Sequence, residues 1–265
     1  MAALTKTSKQ RALVTLDRAL SRMGLASRTE ARQAIREGRM KVNGRVVLHP
    51  ETWVDLTEDV IQLDGRRVKA ARKIYLLFYK PKGVITSHGD PNGRKTVYDC
   101  LGNLGKWVFP VGRLDRDTSG VLLLTNDTDF ADFVANPSSG VPKTYIVKVS
   151  GLLSEETVCR LNEGVVMKRG DRAQPLSVRR LEDRGKYTWL EIVLAEGKNR
   201  EVRRMVEKVG FKVLKLARTA IGGLTLEGLA VGKWRSLAPA EVARLRTVQG
   251  RRDGREDKDL RRGQA

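Results

Sequence analysis

A nine-residue stretch, Gly112-Arg113-Leu114-Asp115-Arg116-Asp117-Thr118-Ser119-Gly120, lies between two apolar runs. Upstream, Trp107 to Val111 reads as a strand, and downstream Val121 to Leu124 reads as a second, buried one. Two core strands joined this closely leave the linking residues little freedom, so a side chain carried between them is fixed in place. The link holds two carboxylates and two guanidiniums with glycine at both ends. Asp115 is the candidate reactive group. Asp117 is open to two readings, a second carboxylate or magnesium ligand, and a turn residue of the kind Asp commonly supplies. Arg113 and Arg116 either contact phosphate or brace the loop.

The 265 residues suffice for two small domains, and 40% of them are apolar, enough for a proper core. Lys and Arg number 51 against 31 Asp and Glu, a net charge of +20. That excess is spread along the chain rather than confined to a tail, which points to a polyanion, nucleic acid first. Cys100 and Cys159 stand apart, as do His49 and His88, so no zinc cluster, disulfide scaffold or histidine triad is expected. The chain carries neither a glycine-rich phosphate loop nor a dinucleotide fingerprint. No apolar run approaches a membrane span and Met1 to Arg11 has no signal-peptide core, which predicts a cytoplasmic protein.

Residues 1–13 are basic and polar and are expected to be disordered. From Thr15 the spacing of Leu16, Ala19, Leu20 and Met23 predicts a helix stopped by Gly24. Ser27-Arg28-Thr29-Glu30 fits a capping box for a second helix, which Gly38 closes. That helix carries Arg28, Arg32 and Arg36 in a basic stripe extended by Arg39 and Lys41; taken alone, such a stripe is either a solvated face or a phosphate-binding one. Asn43-Gly44 and Asp64-Gly65 predict two hairpins.

Arg66 to Arg72 reads as a link between domains. The second domain opens with a strand at Ile74 to Tyr79, a turn at Lys80-Pro81-Lys82-Gly83 presenting two ammonium groups, and a strand at Val84 to Ser87. Further on come a helix ending at Asn136-Pro137, a strand at Lys143 to Val149, a helix at Ser154 to Leu161 and a strand at Lys186 to Leu194. With Asn199 as N-cap, a helix would turn Val202, Met205, Val206 and Val209 to the core and leave Arg200, Arg203 and Arg204 together on the opposite side, where an anion would relieve their repulsion. A strand at Lys212 to Ala217, another at Lys233 to Leu237, and a helix begun by Pro239 complete the pattern. Residues 247–265 read as a disordered charged tail. The class is α+β, with a largely antiparallel mixed sheet and flanking helices.

Residues 14–70 resemble the S4 RNA-binding domain, in their order of two helices and a small sheet and in Ser27 to Ala31 and Gly38 to Gly44. The stretch Gly112 to Gly120, followed by Thr125-Asn126-Asp127, resembles the signature of one group of pseudouridine synthases, the A type of the ribosomal small subunit together with the B type of the large subunit. Lys80-Pro81-Lys82-Gly83, Lys143-Thr144-Tyr145, Glu196 to Met205 and Ile221 to Leu224 follow in that family's order. Glu201 departs from it, standing where many members carry Gln. The resemblance implies a catalytic domain over 71–246 that needs no cofactor and no metal. It makes Asp115 the aspartate that starts cleavage of the uridine N-glycosidic bond, either by an adduct at C1′ or through a glycal route. Tyr145 becomes the ring that stacks on the flipped base and assists proton removal from C5, and Arg203 the partner of the aspartate. Arg28, Arg32, Arg36, Lys41, Lys80, Lys82, Arg113, Arg116, Arg200 and Arg204 become RNA contacts. The partner implied is ribosomal RNA, that of the large subunit on overall resemblance, either free or in an assembling particle, met by a monomer. The competing expectations are a non-catalytic S4-type assembly factor and an S4-linked methyltransferase, the latter lacking its nucleotide-binding turn here.

Overall fold

A computed structural model describes residues 13–167 and 170–247. The chain divides into two units. One runs to Lys73 and takes in 105–108 and 126–128; the other comprises Ile74–Leu104, Phe109–Thr125 and the chain from Asp129 onward. Of the termini expected to be disordered, only Leu13 and Thr247 fall among the described residues. Leu13 opens a strand, and Thr247 caps the last helix.

In the N-terminal unit, β1 (Leu13–Thr15) leads into α1 (Leu16–Arg22), and Gly24 supplies the positive φ, +72°, that ends it. The capping box of α2 (Arg28–Arg36) forms as expected: Ser27 Oγ accepts from Glu30 N at 3.2 Å, and Glu30 Oε2 accepts from Ser27 N at 2.8 Å. Strands β2 (Met40–Val42), β3 (Arg45–Val46), β4 (Trp53–Asp55), β5 (Ile61–Leu63) and β6 (Arg66–Arg67) follow. Four of them form an antiparallel sheet ordered β3-β2-β5-β6, while β4 pairs with β1. Both expected hairpins are present. Each turn has two residues at positive φ, 51° and 81° at Asn43-Gly44 and 50° and 77° at Asp64-Gly65, the backbone that Asn-Gly and Asp-Gly adopt most readily. Leu16, Leu20, Ile35, Met40, Val54 and Ile61 bury their side chains between helices and strands.

The second unit contains β7 (Tyr75–Lys80), α3 (Val97–Leu101), β8 (Phe109–Pro110), β9 (Ser119–Thr125), α4 (Thr128–Ala135), β10 (Lys143–Val149), α5 (Glu155–Asn162), β11 (Val165–Val166), β12 (Arg172–Ala173), β13 (Ser177–Arg184), β14 (Tyr187–Leu194), α6 (Glu201–Lys208), β15 (Val213–Ile221), β16 (Leu224–Thr225), β17 (Trp234–Ser236) and α7 (Pro239–Arg246). Among the described residues nine strands make one sheet, in the order β13-β14-β10-β15-β9-β7-β17, with β16 beside β15 and β8 beside β9. Its pairs are antiparallel except β9 with β15, so the sheet is mixed and largely antiparallel. Helix α5 packs on β13 and α6 on β15. Leu77, Val121, Leu123, Phe130, Val134 and Ile221 form part of the core.

Three expectations need correction. The strand at Val84 to Ser87 is reduced to a single parallel bridge between Ile85 and Thr96. Of Trp107 to Val111 only Phe109 and Pro110 form a strand, although Val111 N still donates to Leu123 O of β9 at 2.8 Å. The strand expected to end at Ala217 continues to Ile221. Strand β13 escaped notice because its charged residues, from Arg179 to Arg184, mostly exposed, carry no apolar alternation.

Candidate active site

Asp115 sits where the sequence places it, on the loop that returns the chain from β8 to its antiparallel partner β9. What holds this loop is a set of donors from outside it. The Leu114 carbonyl accepts from Thr86 Oγ1 at 2.8 Å and the Arg116 carbonyl from Gly83 N at 2.7 Å. Arg203 Nη2 donates to the Asp117 carbonyl at 3.1 Å. Lys80 Nζ donates to the Asp115 and Thr118 carbonyls, at 3.1 and 2.9 Å, and to Pro81 O at 3.1 Å. Five consecutive carbonyls, 114 to 118, are therefore gripped, and Thr118 N closes a turn onto Asp115 O at 3.0 Å. At the loop's end Gly120 has φ +117°, and a Cβ there would overlap the backbone carbonyl of Arg218 on parallel β15. Only glycine fits this close approach.

The Lys80-Pro81-Lys82-Gly83 turn thus differs from expectation. Lys80 is fully buried and is not available to RNA, whereas Lys82 is exposed. Register explains it: Lys80 pairs with Gly120, and the alternation that buries Leu76 and Phe78 carries Lys80 inward beneath the loop. Burial pulls its ammonium down to about 8, against the pull of Asp115 and Asp117 in the other direction.

Two guanidiniums face the Asp115 carboxylate. Arg200 Nη1 lies 3.5 Å from Oδ2 and Arg203 Nε 4.0 Å from the same oxygen. The expected grouping of Arg200, Arg203 and Arg204 on one outward face is not what forms. Arg203 follows Val202 by about 100° around α6, at the border of the apolar stripe, and is buried; Arg204 is half-buried and Arg200 exposed. Burial and the nearby Arg200 lower the Arg203 guanidinium, with Asp115 and Asp117 opposing. The N-cap is Arg200, at φ +50°, and not Asn199.

A cleft of about 390 Å³ opens beside Asp115, lined also by Tyr145, Lys143, Leu216, Arg200 and Arg218. Its volume suits a nucleoside. Strand β10 alternates Lys143, Tyr145, Val147 and Val149 inward, which brings the Tyr145 ring to the cleft wall. The same alternation brings Lys143, which the sequence reading passed over. Burial holds its ammonium near 8, and Arg218 pushes in the same direction. Arg218, also missed, donates through Nε to Val121 O at 2.8 Å, and among the described residues its buried Nη2 has no hydrogen-bond partner. Parity with Leu216 along β15 was the available signal. Of the loop's other charges, Arg113 is exposed at the cleft rim, and Arg116 and Asp117 are exposed and 3.8 Å apart. Asp117 engages the site through its carbonyl.

In the N-terminal unit the basic stripe is partly tied down. Arg28 and Arg32 both hold buried Asp17 Oδ2, at 3.0 and 2.9 Å. Arg36 is exposed and Lys41 half-buried.

A carboxylate on a clamped loop, faced by guanidiniums and an aromatic side chain across a nucleoside-sized cleft, is equipped for chemistry at a sugar carbon. Residues 74–208 match the RNA pseudouridylate synthase family, and 14–61 match the S4 domain. The chain is 42% identical to ribosomal large subunit pseudouridine synthase B of Bacillus subtilis (strain 168), over 88% of this chain and 96% of that one. It is 40% identical to an uncharacterized RNA pseudouridine synthase of Aquifex aeolicus (strain VF5), over 88% and 93%. A crystal structure of a pseudouridylate synthase superposes with a TM-score of 0.64 at 27% identity, covering 88% of this chain and 99% of that one. The chain belongs to the RNA pseudouridine synthase family and carries an S4 domain ahead of its synthase domain.

Proposed function

We propose that this enzyme converts uridine to pseudouridine in large-subunit ribosomal RNA, with Asp115 as the catalytic carboxylate. The observation that carries the reading is Asp115 on a loop whose carbonyls are held from 114 to 118, in one cleft with Tyr145 and beside Arg203. Asp115 starts cleavage of the C1′–N1 bond, by an adduct at C1′ or through a glycal. The freed uracil turns so that C5 meets C1′; C5 loses its proton and N1 gains one, so the product is an isomer of the substrate. Tyr145 gives the flipped base a face to stack on. Arg203 and Arg200 oppose the aspartate's charge, and Arg203 also fixes the loop through Asp117 O. Lys82, Arg113, Arg116 and Arg204 serve the RNA around the cleft, and Arg28, Arg32, Arg36 and Lys41 serve it from the S4 domain, mainly through phosphates. The choice of large-subunit RNA rests on the name of the Bacillus relative. Base-resolution pseudouridine mapping of ribosomal RNA from a strain lacking this chain tests it. One large-subunit uridine should remain unmodified; an unchanged map would overturn the enzymatic reading, and a change confined to small-subunit RNA would overturn the substrate.

A further inference from the structure

The strand alternation that buries Tyr145 and Val147 along β10, and Leu190 and Ile192 along β14, turns Lys148, Tyr187 and Trp189 to the side of the sheet away from the cleft. Every residue that β10 and β14 present on that side is partly exposed, so among the described residues no element buries it. Three lysines gather over the two rings. Lys148 Nζ is 4.0 Å from the centroid of Tyr187 and 5.8 Å from that of Trp189; Lys186 Nζ is 5.9 Å from Tyr187, and Lys215 Nζ is 5.7 Å from Trp189. Register accounts for the gathering: in three adjacent strands Trp189 lies across from Lys148, and Lys148 across from Lys215. Tyr187 follows on the same face two residues along β14, about 7 Å from Trp189.

The acids of this face are already taken by arginines, Glu191 by Arg179 at 3.1 Å and Glu182 by Arg184 at 2.9 Å. Among the described residues Lys148, Lys186 and Lys215 are in no ion pair, and their ammoniums meet the rings instead. A ring face attracts an ammonium without cancelling its charge. Three like charges therefore stand together beside two aromatic faces, and a polyanion built of planar bases satisfies both at once. Acidic protein side chains would satisfy the lysines alone. In a duplex the base faces are stacked away, so the complement of this surface is unpaired RNA. We propose that this sheet face is a second RNA-binding surface, which holds an unpaired segment of the substrate RNA outside the cleft. Tyr187 and Trp189 stack on its bases, while Lys148, Lys186 and Lys215 swing from the rings to its phosphates, a movement their flexible four-carbon stems allow. The assignment rests on RNA as the substrate and is independent of the role of Asp115.

The test compares the full-length wild type with Tyr187→Ala/Trp189→Ala, Tyr187→Phe/Trp189→Phe and Lys148→Gln. Each binds a short fluorescent oligouridylate and an RNA duplex of equal length, and is assayed for pseudouridine formation on a large-subunit ribosomal RNA transcript. Loss of both rings should weaken oligouridylate binding about tenfold and leave the duplex unaffected. The phenylalanine pair keeps the stacking faces and should restore the affinity. Lys148→Gln should reduce the slope of log K against log salt by about 0.7, whereas loss of the rings should leave that slope alone. On the transcript the alanine pair should raise KM and keep kcat at saturating RNA, because the cleft lies on the other side of the sheet. Wild-type oligouridylate binding by the alanine pair, or an equal loss for oligouridylate and duplex, overturns the proposal. So does polyglutamate that binds wild type as tightly as oligouridylate of equal charge and suffers the same loss with the rings removed, which would mark a surface for acidic protein. If the alanine pair does not fold, Lys148→Gln and Lys215→Gln decide, and an unchanged salt slope in both overturns it. Should no protein in the set make pseudouridine in the transcript, the substrate assignment fails, and oligouridylate binding still decides the role of this face.

Discussion

Both units bring two arginines to one aspartate, and they do so in opposite senses. In the S4 domain the carboxylate is buried, Asp17 being 3% exposed, while Arg28 and Arg32 stand 47% and 41% exposed at 3.0 and 2.9 Å. In the synthase domain it is Asp115 that is open, 30% exposed, while Arg203 is 11% exposed and the distances lengthen to 4.0 and 3.5 Å. On the proposed function, the first arrangement uses the carboxylate for structure and turns cations outward, where phosphate would meet them. The second immobilises a cation and leaves the carboxylate open, where a sugar would meet it. The same residue types are thus exposed in opposite senses, depending on which partner the core takes in.

The largest effect expected from this contrast is at Asp115. Asp115→Asn keeps the loop's shape, because its grips use main-chain carbonyls, and should lower kcat on the order of 10⁴-fold or more with RNA affinity nearly unchanged. Single-turnover pseudouridine formation and filter binding measure the two; normal turnover would remove the central assignment. Next comes Lys80, whose three N–H donors meet three carbonyls. Lys80→Met fills the space but holds none of them, so kcat should fall about a hundredfold while affinity holds. A loss of affinity equal to the loss of kcat would instead mark Lys80 as an RNA contact.

Local chemistry was legible where it acts within a few residues. The Ser27–Glu30 capping box, the Asn43-Gly44 and Asp64-Gly65 turns and the whole of β10 could be read from neighbours in sequence. Position across the sheet was not. Lys80 looks like part of an exposed turn until β7 is paired with β9, which turns it under the loop. Arg203 looks outward until α6 is docked, because a residue at the border of an apolar stripe can go either way. Strand β1 is legible only through its pairing with β4, each being three residues long. The signature singles out Asp115, whereas the groups that hold its loop, Gly83, Thr86, Lys80 and Arg203, are distant in sequence.

A smaller effect, on stability, is expected at Asp17. Burial raises its carboxyl, but hydrogen bonds from Thr15 and Arg28 outweigh that and leave it lowered. A lowered carboxyl stabilises the fold above its unfolded value of about 3.8, and that contribution is lost as pH falls through the folded one. Asp17→Asn should cost about 2 kcal/mol at pH 7, a gap that narrows below about pH 4. Urea unfolding at pH 7 and pH 3 checks it, and a gap that stays constant would show that the charge is not what matters.

The smallest effect separates the two jobs of the stripe. Arg28 gives both Nε and Nη2 to Asp17, whereas Arg32 gives Nε, and among the described residues its Nη groups donate to nothing. Arg32 can therefore hold Asp17 and a phosphate together, while exposed Arg36 has only the phosphate to serve. Arg32→Ala and Arg36→Ala should each weaken RNA binding about threefold and reduce the slope of log K against log salt by about 1. Only Arg32→Ala should also lower the urea midpoint. If Arg36→Ala left the salt slope untouched while Arg32→Ala changed stability alone, the stripe would be a brace for Asp17, and the contrast between the two aspartates would no longer divide binding from catalysis.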